Sequence, residues 1–494
     1  ATANLSTGGT AVDVTERVHP ANIELAERIA CLVDLNIAGI DIVAPSMETP
    51  LAQNGGAIVE VNAAPGFRMH LAPTEGKPRP VGEAVIDMLF PPGSESRIPI
   101  ITITGTNGKT TTARLCAHIA RQAGKCVGLT TSDGIYIRNQ LVQKGDTTGP
   151  ASAAVVLRDP SVNFAVLETA RGGILRAGVG YDWSNAAIVT NIAEDHLGMR
   201  DIHTIEDLAH VKAVTVERVM PEGYAILNAE DDMTPLIRKH VDSKLAFFAL
   251  DSSTDTFRKH VDAGGLGATV EKDWIVVYEN GLRFSLCEVN AVPISFGGKA
   301  RFNIANALAA VLATYATKIP VSDIASGLMS FFQSAFTTPG RLNFVEMDDF
   351  RILIDYAHNP HGIAAVTELV RALRSGRLVA VFGMPGDRRD VDVREAARTI
   401  AQTFDRVFIR EDFDLRGRQP GEMSGLIRSV LMSEGLSAGQ IEIHTDEPKA
   451  IAAAVRDAEP DDLIVYFADK PELAAKIVDA LKQERAPAIR AAAS

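Results

Sequence analysis

A chain of 494 residues is longer than one hydrophobic core supports, so it divides into two to four domains. With 46% hydrophobic and 22% charged residues it is of ordinary globular composition, which excludes extensive disorder, and no run approaches the roughly 20 apolar residues of a membrane span. The formal charge of −13 speaks against a nucleic-acid binder, whose footprint is basic, but leaves room for an acidic substrate wherever cations cluster. Residues 1–15 carry neither a basic n-region nor an apolar h-region, so no signal peptide is read. They also lack an initiator Met, and the chain is expected to be a fragment or a processed form. The four cysteines, Cys31, Cys116, Cys126 and Cys287, lack metal-ligand spacing and are expected as buried free thiols in a reducing cytoplasm.

Residues 1–92 read as an α/β piece. Apolar spacing predicts a helix over 23–36, then strands over 38–43 and 56–62, a Pro/Gly-rich stretch over 63–80 and a helix over 81–89. Phe90-Pro91-Pro92-Gly93-Ser94 is a linker signal. From Ile98 the pattern becomes strand, glycine turn, helix: a β-rich run over 100–104, a turn over 105–108 and a helix over 110–123. Apolar strands at 164–167 and 186–190, each followed by a polar or Gly-rich loop, predict a mostly parallel sheet flanked by helices. Residues 225–295 are richer in strands, with a hairpin signal at Glu279-Asn280-Gly281. A smaller α/β domain follows from about residue 336, with strands at 351–355, 378–382, 406–409 and 463–467. The expected domains are therefore 1–92, 97–335 and 336–494.

The segment Ile101-Thr102-Ile103-Thr104-Gly105-Thr106-Asn107-Gly108-Lys109-Thr110-Thr111-Thr112 carries the strongest chemical signal. A strand, a glycine turn and a helix place the backbone N–H groups of Thr106–Lys109 at a helix N-terminus, where they can cradle phosphate oxygens. Lys109 would offer a cation to the terminal phosphates, and the hydroxyl of Thr110 or Thr111 could reach Mg2+. The strict P-loop pattern wants glycine where Ile103 stands, so a variant loop is favoured over the generic nucleoside-triphosphatase one.

That loop, Gly105 to Thr111, resembles the signature of the Mur ligase superfamily. Other segments agree in order: Thr190-Asn191-Ile192-Ala193-Glu194-Asp195-His196-Leu197, Phe302-Asn303-Ile304-Ala305-Asn306-Ala307, Pro339-Gly340-Arg341, Asp355-Tyr356-Ala357-His358-Asn359-Pro360 and Gly386-Asp387-Arg388. Phe302 stands where the superfamily has His. The resemblance covers about residues 98–470. Leu167-Glu168-Thr169-Ala170-Arg171-Gly172-Gly173-Ile174-Leu175-Arg176 is similar to a segment of the cyanophycin synthetases within that superfamily, and 58–66 with Met69-His70 resembles the end of their ATP-grasp module.

The resemblance implies a Mur-ligase-like central ATPase domain, a Rossmann-like C-terminal domain and a partial ATP-grasp piece before them. It also implies an ATP- and Mg2+-dependent acid–amino-acid ligase that adds L-arginine to the β-carboxylates of a poly-aspartate (cyanophycin) acceptor through an acyl-phosphate. The aspartate-adding half is expected to be incomplete. A homo-oligomer, a tetramer, is implied, with neither a membrane nor a nucleic-acid partner. Another Mur-type ligase of the peptidoglycan or folylpolyglutamate kind, and a catalytically silent nucleotide-binding scaffold, stand as alternatives.

For single residues two readings stay open. Glu168, at a strand end before a glycine pair, is a metal ligand or a strand-end salt bridge. His196 is a ligand for a second cation or a satisfied core group. Lys212 stands where many Mur ligases carry a carbamylated, metal-bridging lysine, or is a surface lysine that snorkels. Asn306 contacts adenine or ribose, or belongs to an ordinary polar helix face. The resemblance assigns Arg341 to the γ-phosphate from the neighbouring domain and Asp355 to ribose hydroxyls. Arg388, Arg389, Arg416 and Arg418 either steer an acidic polymer or are solvated. Asp41, Glu60 and Asn62 suit metal ligation in an ATP-grasp site or are structural.

Overall fold

A computed structural model describes residues 9–492, apart from 196, 199–201, 336 and 413, with side chains through 483. The chain forms two compact bodies that part between Arg97 and Ile98.

In the first body a helix spans Pro20–Leu32 and two strands, β1 (Gly39–Val43) and β2 (Ala57–Asn62), pair antiparallel. The helix starts and ends earlier than the expected 23–36. His19 caps it by accepting the Ala21 N–H, Pro20 supplies a pre-set φ at its first turn, and Asp34 leaves it at φ 57°. Apolar spacing registers the stripe but not these caps. Asp41 sits opposite Glu60, next to a bulge between Asp41 and Ile42. A further helix, Val81–Leu89, matches its expected span.

The second body is built on two sheets. The larger takes β3 (Ile100–Thr104), β4 (Val127–Thr130), β5 (Gly134–Ile137), β6 (Gln140–Lys144), β7 (Phe164–Glu168), β8 (Ser184–Val189), β9 (Val219–Asn228), β10 (Lys244–Ala249), β11 (Leu266–Glu271), β12 (Trp274–Glu279) and β13 (Leu282–Glu288). Their order is β13-β12-β11-β10-β9-β8-β3-β7-β4-β5-β6. From β11 to β4 the pairs are parallel, while antiparallel hairpins close both edges. The hairpin over Asn280-Gly281 is present, with both residues at positive φ as a two-residue turn of that hand requires. The edge hairpin β5–β6 escaped the sequence reading: Gln140–Lys144 is exposed on both faces and leaves no alternation to detect.

The smaller sheet takes β14 (Asn343–Glu346), β15 (Arg351–Asp355), β16 (Leu378–Phe382), β17 (Arg406–Arg410), β18 (Ile441–His444) and β19 (Leu463–Phe467), in the order β14-β15-β19-β16-β17-β18. Only β14 runs antiparallel to its neighbour. Strands such as β3, β7, β16 and β19 are buried along their whole length, which is why they read as continuous apolar runs. Cys116 and Cys287 are buried as expected, but Cys31 is exposed and Cys126 half-buried. No described helix is long and apolar enough to cross a membrane.

Candidate active site

In open parallel sheets, ligands bind beyond the carboxyl ends of the strands. Here the ends of β3, β7 and β8 from the large sheet, and of β15 from the small one, open onto one cavity of about 760 Å³.

The loop after β3 owes its shape to two glycines. Gly105 has φ +142°, and a Cβ there would stand 1.9 Å from Thr190 Oγ1. Gly108 has φ +85°, and its Cβ would stand 2.3 Å from Asn306 Oδ1. Any side chain would therefore push β8 or the helix Arg301–Ala316 away from the loop. The Thr106 N–H donates to the Asn191 carbonyl (2.8 Å), and the Thr106 hydroxyl donates to the Ala193 carbonyl (3.1 Å). The helix Lys109–Gln122 then begins, and its first residues Thr110 and Thr111 are buried against the cavity. The Lys109 ammonium donates to the carbonyls of Thr106 (2.8 Å) and Gly105 (3.1 Å). Burial lowers its pKa, and the nearby Glu168 carboxylate opposes that shift.

Glu168, 3% exposed at the end of β7, accepts from the Thr110 hydroxyl (3.2 Å) on one oxygen and from the Ser132 N–H (3.1 Å) on the other. Burial raises its pKa, and Lys109 and then Arg341 pull it back. Among the described residues no cation stands within salt-bridge distance of it. Lys212 is not a snorkelling surface lysine: it is 3% exposed, and its amine donates to the same Gly105 carbonyl at 2.7 Å. Burial, followed by repulsion from Lys109, holds its pKa well below the ordinary lysine value. Nor is Asn306 on a polar helix face. It is buried over Gly108 and donates to Asn303 Oδ1 (3.3 Å).

The parts built on the larger and on the smaller sheet form two layers, and Arg341, at the start of the second, stacks over the Tyr356 ring at 4.8 Å. Asp355 is buried, accepting the Leu342 N–H (2.9 Å) and the Ala357 N–H (2.8 Å), so it fastens the loop that carries Arg341. Burial raises its pKa and Arg341 opposes the rise. The cavity thus gathers Gly105–Thr111, Glu168, Lys212, Asn306, Arg341 and Asp355. His196 lies outside the described residues. Asp41, Glu60 and Asn62 belong to the other body; Asp41 and Glu60 are exposed there, and Asn62 is 3.5 Å from Asp41. No cluster of three or more His, Cys, Asp or Glu among the described residues could hold a metal by itself.

The arginines after the strands of the smaller sheet are all ion-paired, although Arg389 and Arg416 stay 36% and 35% exposed. Arg388, 7% exposed, pairs with Asp195 (2.9 Å), and Arg389 pairs with Glu194 (2.7 Å) and Asp392. Arg416 meets Asp387 (3.1 Å), and Arg418 meets Asp390 and Glu422. A third tie between the layers joins Asn107 to Asn359 through reciprocal amide hydrogen bonds of 3.2 and 3.0 Å. The sequence reading missed these ties, because partners about 190 to 250 residues apart leave no local signal.

Two layers closing on a phosphate loop are the architecture of the Mur ligases, and the chain belongs to that family. The Mur ligase middle domain matches residues 103–314, and the Mur ligase glutamate ligase domain matches 340–470. Within the family, the chain is similar to the cyanophycin synthetase of Synechocystis sp., at 47% identity over 98% of the chain and 55% of the relative. It is similar also to that of Geminocystis herdmanii, at 48% identity over 94% and 53%. The chain therefore spans about half the length of these curated relatives. Among solved structures, a bifunctional folylpolyglutamate synthase/dihydrofolate synthase with Mn, AMPPNP and L-glutamate bound shares the fold. Its TM-score is 0.59 at 20% identity, over 77% of this chain and 89% of that one.

Proposed function

We propose that the chain is an ATP-dependent acid–amino-acid ligase that joins arginine to the aspartate β-carboxylates of a cyanophycin-type acceptor. The observation that carries this reading is the meeting of the phosphate loop, the Glu168–Thr110 pair and Arg341 in one cavity between two layers. The choice of arginine and of an aspartate polymer rests on the likeness to cyanophycin synthetases.

A carboxylate is a poor electrophile, so it must be activated before an amine can attack. In the proposed sequence a β-carboxylate oxygen of the acceptor attacks the γ-phosphorus of ATP, and ADP leaves. The amine of arginine then attacks the acyl carbon, the bond from that carbon to the bridging oxygen breaks, inorganic phosphate leaves with that former carboxylate oxygen, and the amine gives up a proton. Phosphoryl transfer demands mainly positioning and charge neutralisation. Lys109 supplies a cation from the loop, and Arg341 supplies another from the second layer. Asp355 holds the Arg341 loop in place, and the backbone N–H groups of Gly108 and Lys109 receive the phosphates, those of Thr106 and Asn107 being taken up by Asn191.

The oxygens of Glu168 and Thr110, 3.2 Å apart and buried, form a hard donor set that fits Mg2+. That ion, held there, would neutralise phosphate charge. His196 is read as a second ligand and Lys212, if carbamylated, as a bridging one; burial depresses its pKa, which favours the neutral amine form that reacts with CO2. In the first body, Asp41, Glu60 and Asn62 are read as remnants of a separate ATP-grasp metal site. A homo-oligomer, a tetramer, in the cytoplasm completes the reading.

The test supplies labelled arginine, ATP, Mg2+ and a poly-aspartate acceptor to the chain and follows label and ADP together. Label entering the acceptor with equimolar ADP is expected. ADP formed with a different amino acid would redirect the reading to another Mur-type ligase. No acceptor-dependent turnover with any amino acid would leave a nucleotide-binding scaffold.

A further inference from the structure

Asn107 is held on every side. Its N–H donates to Asn191 Oδ1 (3.0 Å), and its carbonyl accepts from the Thr190 hydroxyl (2.6 Å) and from Asn191 Nδ2 (3.1 Å). Its side chain crosses to the other layer. There Nδ2 donates to Asn359 Oδ1 (3.2 Å) and lies 3.0 Å from His361 Nδ1, while Asn359 Nδ2 returns a bond to Asn107 Oδ1 (3.0 Å).

These contacts fix each other in a chain. The Gly362 N–H donates to Asn359 Oδ1 at 2.8 Å, capping the helix Pro360–Ala372, and this sets which end of the Asn359 amide is oxygen. The reciprocal pair then sets the Asn107 amide, with its NH2 toward both Asn359 Oδ1 and His361. An amide NH2 only donates, so His361 Nδ1 must accept and the ring proton must sit on Nε2. A doubly protonated ring would present N–H against N–H.

We propose that Asn359 and His361 are positioning residues: from the second layer they hold Asn107, and through it the phosphate loop, so that the loop is set for nucleotide only while the layers are together and His361 is neutral. This rests on the nucleotide reading of the cavity. Partial burial of the ring holds His361 below the ordinary 6.5, and Asp231, in the loop after β9, is the charged group that opposes the shift. Asp231 itself accepts the Ile192 N–H (2.6 Å) and the Met233 N–H (2.8 Å), whereas Asn107, facing His361 from the phosphate loop, and Asn359, the cap of its own helix, are neutral. His361 lines the cavity with its ring partly covered and the rest of its surface open to solvent, so protons reach it.

The experiment is calorimetric binding of AMPPNP with Mg2+ to the full chain between about pH 5 and 8. Replacing one neutral hydrogen bond is worth roughly a fivefold change. His361→Ala should bind about fivefold more weakly than wild type at pH 8 and should lack the part of the acid loss that wild type shows. Asn359→Asp keeps the helix cap but removes the donor to Asn107, and should weaken binding at pH 8 by a similar factor with an unchanged unfolding midpoint. Asn107→Asp places a carboxylate before the imidazole, so its binding should strengthen, relative to wild type, as pH falls. Superposable wild-type and His361→Ala profiles would overturn the proposal, and so would an Asn107→Asp profile parallel to wild type. Wild-type chain that binds nucleotide with this profile yet never incorporates arginine would overturn the ligase reading alone. Absence of nucleotide binding by wild type would overturn both.

Discussion

In the first body, Asp41 and Glu60 face each other on a two-stranded hairpin whose flanking Val43 and Val59 are 68% and 66% exposed. In the second, Glu168 ends a strand buried along its whole length, with Thr110 and the Ser132 N–H fixing both its oxygens. Both places offer carboxylates at strand ends, but their surroundings differ. Water screens a carboxylate on an exposed hairpin, so it acts weakly on anything nearby. A desolvated carboxylate with fixed partners shifts, and is shifted by, each charge around it. Electrostatic preorganisation therefore resides in the second body.

The largest expected effect comes from removing the loop cation. Lys109→Ala should lower arginine incorporation by roughly 10³-fold or more, since transition-state charge on the phosphoryl group loses its nearest ammonium. The unfolding midpoint should move little, because among the described residues the lost side chain donates to two carbonyls of its own loop. Near-normal incorporation, measured with labelled arginine, would remove the loop from the mechanism.

Arg341→Ala comes next. The side chain stands on the second layer, stacked on Tyr356, so it contributes once the layers close on substrate. A fall in kcat of about 10²-fold with AMPPNP affinity kept within about threefold is expected. A large loss of affinity with unchanged kcat would make Arg341 a plain binding residue.

How far the sequence reaches follows from the same contrast. The run Ile100–Thr104 before Gly105 announces a buried parallel strand and a phosphate turn, because periodicity and glycine placement are local properties. The Asn-Gly hairpin at 280–281 is legible for the same reason. The burial of Lys212 and Asn306 is not legible, since it depends on Gly105 and Gly108 letting other elements approach. Nor is the pairing of Arg388 with Asp195: both residues stand in recognisable motifs, but nothing local says that the motifs meet. Apolar spacing alone misses the start of the helix Pro20–Leu32, because its cap is a histidine, outside the usual capping residues.

The two ion pairs across the seam sharpen the comparison at smaller scale. Arg388 and Asp195 have side chains 6% and 14% exposed, whereas Arg389 and Glu194 are 36% and 59% exposed. Truncating one partner of a buried pair strands the other charge, while exposed pairs contribute little. Arg388→Ala should therefore lower kcat/KM by roughly tenfold or more, and Arg389→Ala by less than about threefold. The smaller effect should shrink further in high salt, which screens exposed charges first. Equal losses in the two variants would mean that the seam does not discriminate by burial.

The smallest effect is expected in the first body. In an Asp41→Asn, Glu60→Gln double variant, arginine addition should stay within about twofold of wild type. Neither residue lines the cavity that holds the phosphate loop, Glu168 and Arg341, and both are solvent-exposed on their hairpin. Replacing two exposed carboxylates by amides of the same shape removes opposed like charges across the Asp41–Glu60 register, so the hairpin should be no less stable than before. Labelled arginine uptake and the unfolding midpoint, measured on the same preparation, check both halves. A loss of uptake beyond about fivefold at an unchanged midpoint would show that the exposed carboxylates of the first body take part in the reaction assigned to the second.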